Sequence, residues 1–178
     1  VDQSKIEAGV KLILQGLGCD LRDQNFQDTP ERVARVYKQM FSSPEKGWAT
    51  FDEDTTDVVL LRGHELYTLC PHHMLPVKLT VSLAYRPAGR VIGLSKLARV
   101  FQEVNRGPML QEVIGKAAVD LLCSLTGTKD AICRVEGQHG CMRIRGVKSC
   151  ADTVTEYEAG AFKTLEMQKR FYAMLRRY

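Results

Sequence analysis

In PVKLTVSLAYRP, residues 76–87, apolar side chains fall at every second position: Val77, Leu79, Val81, Leu83 and Tyr85. A period of two is the mark of a strand with one face buried and one exposed, because successive side chains point to opposite faces. A helix would scatter the same residues around its circumference. The chain must therefore build a sheet and cover one face of it.

The runs around this strand supply both. VVLLRGHELYTL, AICRVEG, CMRIRGVK and TVTEYEA read as further extended segments. SKLARVFQEVNR reads as a short helix with Leu97, Val100, Phe101 and Val104 inward, and PMLQEVIGKAAVDLLCSLTG as a longer one, with Pro108 early and Gly127 past its end. FKTLEMQKRFYAMLRRY closes the chain as a helix, with Phe162, Phe171, Tyr172 and Leu175 set for subunit contact. Ahead of all this, Ile6, Val10, Leu12, Ile13 and Leu17 recur at helical spacing. QDTPERVARVYKQMF opens a second helix, with Asp28 and Glu31 as a capping box, Pro30 in the first turn and a buried stripe of Val33, Val36, Tyr37 and Met40. SSPEKGWATFDEDTTD is a polar connector in which Trp48 is a packing anchor. The order predicts an α+β fold, an antiparallel sheet backed by helices on one face. An N-terminal helical segment, 1–56, precedes the sheet-bearing domain, 57–178.

Composition narrows the class. Of the 178 residues, 44% are hydrophobic and 26% charged, as in a soluble globular protein. The net charge of +4 is too mild to demand nucleic acid, though it suits an anionic small molecule. No apolar run approaches the length of a membrane span and no signal peptide is visible, so a cytoplasmic protein is expected. The opening VDQSKIEAGV reads as a fragment or processed start. Among six cysteines, Cys123 and Cys133 sit between apolar neighbours as core residues. Cys70 and Cys141 each stand beside histidine, which favours metal over disulfide in a reducing compartment.

Three of the four histidines lie in two short stretches, LCPHHMLPV and EGQHGCMRIRG. Cysteine sulfur and histidine nitrogen are zinc ligands, and a catalytic zinc keeps three of them with an open fourth position. Cys70 with one of His72 and His73 provides one half, and His139 with Cys141 the other. Three arrangements are open on residue types alone. A three-ligand site leaves two of the five residues spare, to serve as proton donors. A closed four-ligand site leaves one. The third arrangement has no metal, only buried thiols and satisfied histidines.

CPHHMLPV, GRVIGLSKLARV, LQEVIGKAAVDLL and QHGCMRIRGV resemble, in order and spacing, the signature segments of the GTP cyclohydrolase I family. DTPERVARVYKQMF and GAFKTLEMQKRFYAML resemble its N-terminal helix and closing segment, so the likeness covers nearly the whole chain from about residue 26. The resemblance implies the tunnelling fold, in which sheets of several subunits join into a barrel. It also implies a homo-oligomer, a decamer of two pentamers with active sites between subunits. It implies zinc on Cys70, His73 and Cys141, and catalytic roles for His72 and His139. The implied reaction is zinc-dependent hydrolytic opening of the guanine imidazole ring of GTP at C8, loss of formate, and reclosure to 7,8-dihydroneopterin triphosphate. Phosphate is implied to bind Lys96, Arg99, Arg145 and Arg32, with Ser95 and Arg35 as lesser members. Ser95, Lys96 and Arg99 stand at a helix start, where free N–H groups favour an anion. Glu112 is implied to pair with guanine N1–H and its amino group, and Gln111 to lie near the base. Absent the resemblance, Gln111 and Glu112 read as ordinary exposed helix residues.

One position departs from the family. Where glutamate usually stands between the cysteine and the histidine pair, this chain has Pro71. The ligands and both histidines survive the change. A working cyclohydrolase is the first expectation. The alternatives are a diverged paralogue that opens another purine nucleotide or stops before reclosure, and a non-catalytic zinc-bound regulatory assembly.

Overall fold

The structure, a computed structural model, describes residues 1–43 and 47–176, which fall into two compact units, Val1–Ser43 and Pro44–Tyr178. In the first unit, helices α1 (Gln3–Gly16) and α2 (Thr29–Phe41) pack on each other. Asp2 caps α1 by accepting from the Lys5 N–H at 3.1 Å. The expected capping box of α2 does not form. Asp28 has helical rather than extended φ/ψ, so its carboxylate does not cap, and pairs instead with Arg32 at 3.0 Å. The fully buried residues of α2 are Pro30, Ala34 and Phe41, while of the expected stripe Val33, Tyr37 and Met40 are half-buried and Val36 is exposed. Both lines have helical spacing, and only the neighbouring helix selects between them.

The second unit is built on a four-stranded antiparallel sheet in the order β2 (Val59–Leu69), β3 (Pro76–Tyr85), β5 (Ala131–His139), β6 (Thr153–Ala159). The alternation of β3 is realised as read: Val77, Leu79, Val81, Leu83 and Tyr85 are each at most 1% exposed. They pack under α3 (Leu94–Val104) and α4 (Gln111–Thr126), against Leu97, Val100, Phe101, Ile114, Ala118 and Leu122. Trp48 packs at the edge of this core.

Three corrections follow. First, the sheet is covered on both faces near Tyr85. Ala84 and Ile132, on the face opposite Leu83, pack with Phe162 of a 3-10 turn (Gly160–Lys163) and Phe171 of α6 (Leu165–Arg176). Phe162 and Phe171 are therefore intramolecular core, not subunit contact. Second, the polar connector contains a strand, β1 (Thr50–Asp52), paired with β4 (Arg90–Ile92). Three residues are too few to show a period. Third, CMRIRGVK is not a strand. β5 stops at His139, the chain turns through a single helical turn α5 (Gly140–Arg143), and Ile144 and Val147 are exposed. The ladder with β3 has its last pair at Val77 and His139. The next residue of β3 is Pro76, which has no N–H to give, and Gly140 presses on its carbonyl so closely that a Cβ would lie 2.8 Å from it. No helix of the described residues is long and apolar enough to cross a membrane.

Candidate metal centre and cavity

The loop between β2 and β3 is a tight turn. Cys70 donates its N–H to the Leu75 carbonyl at 2.9 Å, and its own carbonyl accepts from the N–H groups of His73 (3.3 Å) and Met74 (2.8 Å). Pro71 stands where the turn uses no donor, so its missing N–H costs nothing. The turn brings both imidazoles to one thiol: Nδ1 of His72 and of His73 lie 3.8 and 3.6 Å from the Cys70 sulfur. α5 begins directly after β5, and this sets Cys141 opposite the turn. The ligand atoms of Cys70, His73 and Cys141 lie within 4.8 Å of one another.

Burial, and after it the neighbouring Cys70, push the Cys141 thiol up, while Arg145 opposes the shift. Two sulfurs and one imidazole are a donor set that zinc accepts, and His72 and His139 lie outside it. The Arg145 guanidinium is set against Nε2 of His73.

A cavity of about 260 Å³ opens beside the cluster, lined by Cys70, His72, Met109, Glu112, His139 and Cys141 among others. Pro71 is at its wall. Glu112 is exposed at the start of α4. His139 is half-buried, and burial lowers its pKa against the opposing influence of the Glu112 charge. Its Nε2 lies 2.8 Å from Oε1 of Gln111. Gln111 itself is only 4% exposed, its amide tied to β5 and β6. That burial runs against the expectation of an ordinary exposed helix residue, because the first residue of a helix faces water only when nothing lies over it. Thr153 and Thr155 also line the cavity and went unnoticed in the sequence, where two threonines on a strand carry no signal.

Of the phosphate candidates in the second unit, Ser95, Lys96 and Arg99 do not line this cavity, whereas Arg145 stands against His73 of the cluster beside it. Ser95 is exposed at the start of α3 and the Lys96 ammonium donates to the Gly47 carbonyl at 2.8 Å. Arg99 has its Nη1 buried with no hydrogen-bond partner among the described residues. Arg32 pairs with Asp28 and Arg35 with Glu31, both on α2 of the first unit. His64 stacks on Phe101 with ring centroids 6.0 Å apart, away from the cluster. All six cysteines are free.

A family model described as GTP cyclohydrolase I matches residues 6–176. The GTP cyclohydrolase 1 of Clostridium perfringens (strain 13) is 39% identical over 168 residues, which are 91% of this chain and 91% of that one. The GTP cyclohydrolase 1 of Rhodopirellula baltica is 39% identical over 92% of this chain and 74% of its own length. That of Hyperthermus butylicus is 35% identical over 92% and 85%. Among solved structures, the archaeosine synthase QueF-Like in its apo form superposes with a TM-score of 0.50 at 15% identity, over 61% of this chain and 98% of that one. At that identity the likeness is one of fold alone.

Proposed function

The chain belongs to the GTP cyclohydrolase I family, and we propose from that premise that Cys70, His73 and Cys141 hold a zinc ion at the cavity where the guanine of GTP is opened. The activity is that of GTP cyclohydrolase I: hydrolytic opening of the guanine imidazole ring of GTP, release of C8 as formate, and reclosure to 7,8-dihydroneopterin triphosphate. The observation that carries the zinc assignment is the meeting of three soft and borderline ligand atoms, from two distant stretches of chain, within 4.8 Å. Zinc, when bound, supplies Lewis acidity that makes a hydrolytic water nucleophilic near neutral pH.

The protein's own groups do the rest. Glu112 accepts from guanine N1–H and the 2-amino group together, and so orients C8 toward the cluster. Met109 and Leu110 offer the flat base an apolar wall. His139 transfers a proton at the imidazole nitrogen of the base as the ring opens, and His72, exposed at the cavity mouth, handles the second proton.

The triphosphate is assigned to Ser95, Lys96, Arg99 and Arg145, with Arg32 joined to them on the family pattern alone. Of these, Ser95, Lys96 and Arg99 do not line the cavity. This favours active sites shared between subunits, to which α3 of one chain brings the charge for the cavity of the next. β2 and β6 are the outer strands of the sheet, and their free edges are where neighbouring subunits would join into the barrel of the tunnelling fold. A decamer of two pentamers in the cytoplasm is the proposed working form.

Incubation with GTP tests the reading. Zinc-loaded protein should release one formate per GTP consumed and yield a pterin triphosphate by mass spectrometry. Lys96→Ala and Arg145→Ala should raise KM for GTP about tenfold or more, the loss of a charge-assisted bond, and leave guanosine binding as it was. GTP recovered intact from the zinc-loaded protein would end the reading.

A further inference from the structure

We propose that Gln111 is a positioning residue that holds His139 as its Nε2–H tautomer, so that Nδ1 is the nitrogen through which His139 exchanges a proton with the bound base. This rests on the assignment of proton transfer to His139, and it names the atom that does it.

The orientation of the Gln111 amide is decided by its surroundings. Its nitrogen lies 2.9 Å from the Val135 carbonyl and 3.2 Å from the Thr153 carbonyl. A carbonyl oxygen only accepts, so the NH2 end must be the one that faces β5 and β6. The reverse orientation would set oxygen against two oxygens in a buried place. Oε1 is thereby aimed the other way, 2.8 Å from Nε2 of His139 and 2.7 Å from Oγ1 of Thr153. This oxygen also only accepts, so both neighbours donate to it. A neutral imidazole has one ring proton, and here it is on Nε2. Nδ1 is left as the basic nitrogen.

A second observation supports the arrangement independently. Gly137 lies on β5 directly across from Thr153 on β6. A Cβ at this position would collide with Oε1 of Gln111 and come within 2.9 Å of Nε2 of His139. Only glycine leaves room for the contact. With its nitrogen on two strand carbonyls and its oxygen on two donors, the Gln111 side chain has no polar atom left for guanine. It acts through His139.

His139→Gln identifies the ring signals of His139 in protein labelled with ¹⁵N at histidine, zinc-loaded and assembled as purified. Wild type should show His139 protonated on Nε2 and bare on Nδ1. Gln111→Met, which keeps length and burial but removes the amide, should give mixed tautomers. It should lower kcat for formate release about tenfold or more, with KM for GTP and zinc content within about twofold of wild type. A proton on Nδ1 in the wild type overturns the proposal with no variant required. So does a Gln111→Met protein whose KM rises while kcat and tautomer stay put, since that describes a residue that reads the base. If wild type released no formate, the assigned activity would fall, and the tautomer signals would still decide the role of Gln111.

Discussion

At one end of the β3–β5 ladder, beside Tyr85 and Ala131, polar groups meet their opposites. Asp130 accepts from Nε of Arg86 at 2.9 Å with one oxygen and from the Ala161 N–H at 2.8 Å with the other. The Thr128 hydroxyl donates to the Arg86 carbonyl and accepts from the Asp130 N–H. The Tyr85 hydroxyl takes the Ile92 N–H at 3.1 Å. At the other end, beside Val77 and His139, two thiols and an imidazole turn on one another, and the neighbouring charge on Arg145 meets a histidine. Both ends are partly withdrawn from water. The first closes the ladder with donors matched to acceptors, and its contribution is to stability. The second gathers two thiols and an imidazole that could hold a metal ion. A strand pair that is rigid because one end is closed can hold ligands at the other without their having to pay for the fold.

If the two ends are separate in this way, substitutions should separate them too. The largest effect belongs to Cys141→Ala. Zinc content by atomic absorption should fall to near zero and formate release should disappear, while the melting temperature stays at that of metal-stripped wild type. Full zinc occupancy in this variant would show that the ligand set is wrong. Next in size is Asp130→Ala at the closed end. Loss of both acceptors should cost about 2 kcal/mol in urea unfolding, a figure reduced for the partial exposure of Arg86, with zinc content per folded subunit unchanged. Zinc loss in step with stability would join the two ends into one unit and break the comparison.

The smallest effect lies between the ends. Burial holds the imidazole of His64 below its ordinary range. The unfolded chain therefore takes up this proton first as pH falls. The stability linked to His64 is complete above its unfolded pKa, near 6.5, and is lost as pH drops toward the folded value. Replacing it in His64→Phe should flatten the fall of stability between about pH 7 and pH 5 by a fraction of one proton, with no change in zinc. An unaltered slope would mean that His64 opens to water before the sheet does.

Much of this was legible before folding. The period of two in β3 was read residue for residue, since a half-buried strand has to alternate. α3 and α4 were legible for the same reason at a period of 3.6. The ligand types were legible because few side chains bind zinc and here they sit in two clusters. The missed elements share a physical cause: their conformation is set by a neighbour. β1 is a strand because β4 lies beside it. CMRIRGVK alternates well enough to be one, yet has no ladder to join past Pro76. Phe162 and Phe171 carry the pattern of a buried stripe, but a pattern does not say what buries it.

The sequence by itself determined the alternating strand, the helices over it and the stock of sulfur and imidazole from which a zinc site could be made, because each of these is local and periodic or a matter of chemical type. Which histidine stands with the two thiols, which faces the cavity, and which way the amide of Gln111 points were decided only by tertiary structure. Those choices depend on distances of a few ångströms between β2, β5, β6 and α4, and such distances exist only when the sheet has brought its strands together.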